Sequence, residues 1–67
     1  MHMKHITTFT FEDRNEHCEG AVIVRSDASH VAVAFSLKSD GDILLVMPHE
    51  AAKKLQAALE TAVSSDT

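Results

Sequence analysis

The chain reads as an α+β fold: an antiparallel four-stranded sheet in meander order, with one C-terminal helix packed on one face. Three observations predict it. Residues 5–47 carry four short stretches rich in β-branched, aromatic and apolar residues, separated by clusters of Asp, Asn and Ser. The last two stretches meet at Asp40-Gly41, a dipeptide that favours hairpins because type I′ turns need positive φ at both central residues. After Pro48 the apolar period changes from two to that of a helix, with Ala51, Ala52, Leu55, Ala58, Leu59, Ala62 and Val63 on one side.

His5–Glu12 is the first strand, with Phe9 and Phe11 on one face at period two. Arg14-Asn15, inside the polar stretch Asp13–Glu16, supplies the turn to a second strand, Cys18–Arg25. Gly20 inside that strand marks a bulge or a close backbone approach. Ser26–Ser29 turns the chain into the third strand, His30–Lys38, where Val31, Val33, Phe35 and Leu37 alternate with His30, Ala32, Ala34 and Ser36. The fourth strand, Asp42–Met47, holds Ile-Leu-Leu-Val-Met with no polar residue on either alternating face. Pro48 then opens the helix at its first position, where the missing N–H costs nothing, with Met47 as N-cap and Glu50 in the first turn. Ser64–Thr67 reads as a fraying tail, and residues 1–67 as one domain. Met3 is a second candidate start, so Met1 and His2 are left out of site reasoning.

A continuous apolar strand wants cover on both faces, and one helix cannot supply it. Four strands about 4.8 Å apart make a sheet about 19 Å wide, of which a helix about 10 Å across covers about half on one side. A two-residue turn at Asp40-Gly41 pairs Leu37 with Leu44 and Phe35 with Val46, which puts Ala32, Ala34, Ile43, Leu45 and Met47 together on the uncovered face. Those five residues are the predicted interface, and a second copy of the chain is the predicted cover. A domain this small buries only about 60% of its unfolded surface alone, and help from oligomerisation is common at that size.

Composition narrows the chemistry. Ten acidic residues against six basic give a formal charge of −4, the basic residues are scattered, and Tyr and Trp are absent. Nucleic-acid binding is therefore not expected, since it relies on clustered Lys and Arg or stacking aromatics. The apolar runs are too short to span a bilayer and no apolar signal segment follows the start, so neither membrane nor export is expected. The lone Cys18 suits a reducing, cytoplasmic setting. No nucleophile elbow, phosphate-cradling glycine loop or paired-carboxylate motif occurs, so no catalytic residues and no cofactor are assigned. Asp40 and Asp42 flank Gly41 like a fragment of a calcium loop, but a hairpin accounts for them. His17 and Cys18, as strand neighbours, point to opposite faces, and no metal-ligand spacing recurs among His2, His5, His17, His30 and His49. Surface histidines and a small buried thiol are expected, with an intersubunit zinc site from His5, His17 or His30 as the functional alternative. Glu12, Asp13, Glu16 and Glu19 around Arg14 make an acidic hairpin tip.

Met47-Pro48-His49-Glu50-Ala51-Ala52 and the Lys53–Ala62 stretch that follows resemble the closing segment of short bacterial and phage proteins of unknown function, in which a strand runs into a Pro-led helix. The resemblance runs from the third strand onward, departs from the usual Thr or Ser cap at Met47, and implies a fold but no site residues. The expected function is a non-enzymatic, self-associating protein-interaction module. The alternatives are an acidic phage- or mobile-element-type inhibitor of a host protein, and a metal- or pH-responsive regulator using the histidines.

Overall fold

The computed structural model describes residues 2–39 and 41–65. Four strands, β1 (Lys4–Asp13), β2 (Cys18–Ser26), β3 (His30–Leu37) and β4 (Gly41–Pro48), precede one helix, α1 (His49–Ser64). The strands pair antiparallel in the order β1-β2-β3-β4, so β1 and β4 are the two edges. The helix packs against β4 and β3. This is the α+β meander that the alternation pattern predicts.

Two local details differ from expectation. Pro48 ends β4 and is itself the N-cap (φ −68°, ψ 160°), so the helix begins at His49 and Met47 stays in the strand. Proline's φ suits either position, and its extended ψ places it outside the helix. The bulge falls in β1 rather than at Gly20: the pairing steps from Thr7↔Val24 to His5↔Arg25, leaving Ile6 as the extra residue. Gly20 is a close-approach glycine. Its missing Cβ would lie 2.8 Å from Phe11 Cζ and 3.0 Å from Leu37 Cδ2, so the ring of Phe11 lies across it.

The β3–β4 register decides which residues share a face. Leu37 pairs with Gly41, Phe35 with Ile43, Val33 with Leu45 and Val31 with Met47. The expected two-residue turn paired Leu37 with Leu44, three residues further along. Asp40 lies outside the described residues, but Gly41 takes φ 90° and the loop spans residues 38–40. A three-residue connection with a glycine at positive φ is the other common solution for such a hairpin. An odd shift of register turns every β4 side chain over.

The helix-side face therefore carries Phe9 and Phe11 from β1, Val22 and Val24 from β2, Val31, Val33, Phe35 and Leu37 from β3, and Ile43, Leu45 and Met47 from β4. The opposite face carries Thr8, Thr10, Ala21, Ile23, Ala32, Ala34, Leu44 and Val46. The core is slight: among the described residues, the buried hydrophobic side chains are Val22, Ala32 and Val33, and no helix residue is buried. The molecule measures 35 × 31 × 15 Å with a radius of gyration of 13.3 Å, where a compact chain of this length has about 11 Å.

Gly41 has open space around its missing Cβ, so an alanine there strains the backbone without any clash. Gly41→Ala is expected to destabilise the fold by about 1 kcal/mol, read from urea midpoints at one fixed chain concentration; an unchanged midpoint would mean that Gly41 does not hold this conformation.

Candidate functional site

The most exposed apolar surface gathers at one end of the sheet. Among the described residues eleven large hydrophobic side chains are exposed, and seven of them lie on β4 and α1: Ile43, Leu44, Leu45 and Val46 on the strand, Leu55, Leu59 and Val63 on the helix. Leu44 is 63% exposed on one face and Ile43 61% on the other, so neither face of β4 is closed. The other four, Ile6, Phe9, Phe11 and Phe35, lie on β1 and β3.

The helix does not close this surface because it stands off the sheet. Ala51 and Ala52 in its first turn are half-buried, while the next turns are exposed and Val63 reaches 79%. Between helix and sheet runs an open groove of about 320 Å³, walled by Val24, Val31, Val33 and Met47 below and by Ala52, Leu55 and Leu59 above. Gln56 and Glu60, which are not part of the apolar stripe that the helical period marks, also line it. The helix is thus rolled so that part of its apolar stripe faces sideways.

The first turn of the helix is held by the β2–β3 turn. Asp27 Oδ1 accepts backbone N–H bonds from Ser29 at 2.8 Å and His30 at 2.7 Å, and His49 Nε2–H donates to the Asp27 carbonyl at 3.2 Å. An aspartate folded over its own turn in this way replaces missing ladder bonds. The N–H bonds from Ser29 and His30 hold the Asp27 carboxyl below its ordinary value of 3.8, and the nearby His30 and His49 act in the same direction.

The five predicted interface residues do not share a face. Ala32 and Ala34 lie on the face away from the helix, and Ala32 is buried at 5% exposure among its neighbours. Ile43, Leu45 and Met47 lie on the helix-side face, with Ile43 and Leu45 exposed and Met47 half-buried. The three-residue shift of register separates them. Leu44 and Val46, assigned from sequence to the covered side, are 63% and 56% exposed. Leu55, Leu59 and Val63, on the apolar side of the helix, were expected to be buried against the sheet and are exposed; periodicity reveals a helix's apolar stripe but not its roll or tilt.

The histidines are dispersed. His5 sits opposite Arg25 and His30 begins β3, both at one end of the sheet, while His17 lies at the other end in the β1–β2 turn with φ 58°. Among the described residues no three His, Cys, Asp or Glu side chains come together as a metal site. Cys18 is half-buried rather than buried, with Sγ 3.2 Å from the Ser39 hydroxyl. The acidic tip exists as a cross-strand like-charge pair, Glu12 opposite Glu19, with Lys38 Nζ 3.4 Å from Glu19.

No protein-family model, curated protein or solved structure significantly matches the chain. Among the described residues, no helix is long and apolar enough to cross a membrane.

The lowered Asp27 carboxyl sets a pH dependence of stability. A group whose folded pKa is depressed contributes stability above its unfolded value, and that stability disappears as pH falls through the folded value. Asp27→Asn keeps an acceptor oxygen but cannot ionise. The stability gap between wild type and this variant should be full at neutral pH and shrink in acid, starting near 3.8; a gap independent of pH, followed by thermal or urea unfolding, would show that the charge plays no part in the turn.

Proposed function

We propose that this protein is a non-enzymatic interaction module that associates with itself through its apolar sheet surface. The observation that carries the reading is an excess of surface. The chain exposes 5369 Å², whereas a compact protein of 7.3 kDa exposes about 4,200 Å². The difference, about 1,200 Å² per chain, is the scale of what each partner buries in a permanent dimer. The exposed side chains support the same reading, since those on β4 and α1 are large hydrophobic ones that each contribute about 1.5–3 kcal/mol when fully buried.

A second reading draws on the acidic end of the sheet. Like charges directly opposite one another weaken a strand pair, and the Glu12–Glu19 pair is kept beside Asp13 and Glu16. An acidic inhibitor that occupies a basic site on another protein would use that end.

Static light scattering at low micromolar concentration tests self-association, with twice the 7.3 kDa chain mass expected. Leu59→Glu, on the exposed helix stripe, is expected to weaken association about tenfold or more. A wild-type mass of one chain would refute the reading.

A further inference from the structure

The two edges of the sheet are built differently. β1 is guarded against pairing with another strand: the bulge at Ile6 interrupts its ladder, Lys4 and His5 flank one end, and Glu12 and Asp13 the other. Bulges and edge charges are the usual devices that stop edge-to-edge association. β4 has none of them between Ile43 and Met47. Its pairing to β3 is regular from Gly41 to Pro48, and its five central residues are uncharged and apolar on both faces.

The backbone groups that β4 turns outward can be named. The Lys38 N–H donates to the Glu19 carbonyl at 3.3 Å and the Asp27 N–H to the His30 carbonyl at 3.0 Å. Even-numbered β3 residues therefore bond β2, and odd-numbered ones bond β4 through Ile43, Leu45 and Met47. Leu44 and Val46 are left with N–H and C=O facing the open edge. Pro48, which has no N–H to give, falls on the same outward side, as an edge proline must.

We infer that a second copy of the chain pairs with this edge, β4 antiparallel to β4, to make one continuous eight-stranded sheet. The inference rests on the self-association proposed above and specifies its joint. A two-fold axis at Leu45 puts Leu44 of each copy opposite Val46 of the other, where their outward groups exchange hydrogen bonds. Leu45 then meets its own counterpart, Ile43 meets Met47, and Asp42 falls opposite Pro48 at the two ends. Every pair between those ends is apolar against apolar, on both faces. Centring the axis on Leu44 instead sets Asp42 against Val46, which disfavours that register. The symmetry also puts both helices on one face. Each helix packs on the β4 and β3 side of its own sheet, so the two flank the joint.

Amide hydrogen exchange on the wild-type protein, with its mass measured in parallel, tests the joint. The Leu44 and Val46 amides should exchange at least about 100-fold more slowly than the Thr8 and Thr10 amides, which face outward on the guarded edge. Leu44→Pro removes one outward N–H without touching the β3 ladder and should return the mass to that of a single folded chain. A dimer in which Leu44 and Val46 exchange as fast as Thr8 and Thr10 overturns the β4 joint and leaves self-association standing. A monomeric wild type overturns both. If Leu44→Pro does not fold, the exchange rates of the wild type still decide.

Discussion

The structure turns on one constraint: a strand whose five central residues are all apolar lies at the edge of a sheet. Edge position leaves the N–H and C=O groups of Leu44 and Val46 without a ladder partner among the described residues, and the composition of β4 leaves apolar side chains on both faces. Either condition alone is ordinary, because exposed edges are commonly charged and apolar strands commonly sit in the middle of sheets. Together they describe an interior strand that has lost one neighbour. The thin shape, the slight core and the surplus surface all follow from it. Among the described residues no large side chain is fully buried, Val22 and Val33 each keeping 8% exposure, and ordering each residue costs about 1–2 kcal/mol of backbone entropy, so the chain gains most by burying what β4 and α1 still expose.

The helix shares that dependence. Its first turn is fixed by the short path from Pro48 and by His49 bonded to the Asp27 carbonyl. Beyond that turn no residue is buried, and the stripe of Leu55, Leu59 and Val63 faces partly away from its own sheet. The Asp27 turn thus ties three elements together, β2, β3 and the start of α1, at the end of the sheet opposite the acidic tip. Two-fold pairing at β4 puts these features on either side of one seam.

Much of the fold was legible because its signals are periodic. Alternation in residues 30–37 and the apolar run after Gly41 mark strands whose ends fall within a residue or two of those observed. The helix was legible from Pro48, Glu50 and the spacing of its alanines and leucines. The face of β4 was not. Asp-Gly serves a two-residue turn with both residues at positive φ and a longer connection that needs positive φ at the glycine, and only geometry distinguishes them. That choice moved Leu44 and Val46 to the face away from the helix and separated Ala32 and Ala34 from Ile43, Leu45 and Met47. The bulge at Ile6 left no mark either, since an isoleucine adopts it without help from glycine. What survives the change of register is the inference that needed none: residues 43–47 are apolar on both sides, and Ile43, Leu44, Leu45 and Val46 stay exposed.

The most direct measurement is an isotope-filtered NOE experiment on a mixture of labelled and unlabelled chains, which registers only contacts between copies. Pairing of β4 with β4 predicts intermolecular contacts among Leu44, Leu45 and Val46. Contacts confined to Phe9 and Phe11, or no intermolecular contacts at all, would contradict it.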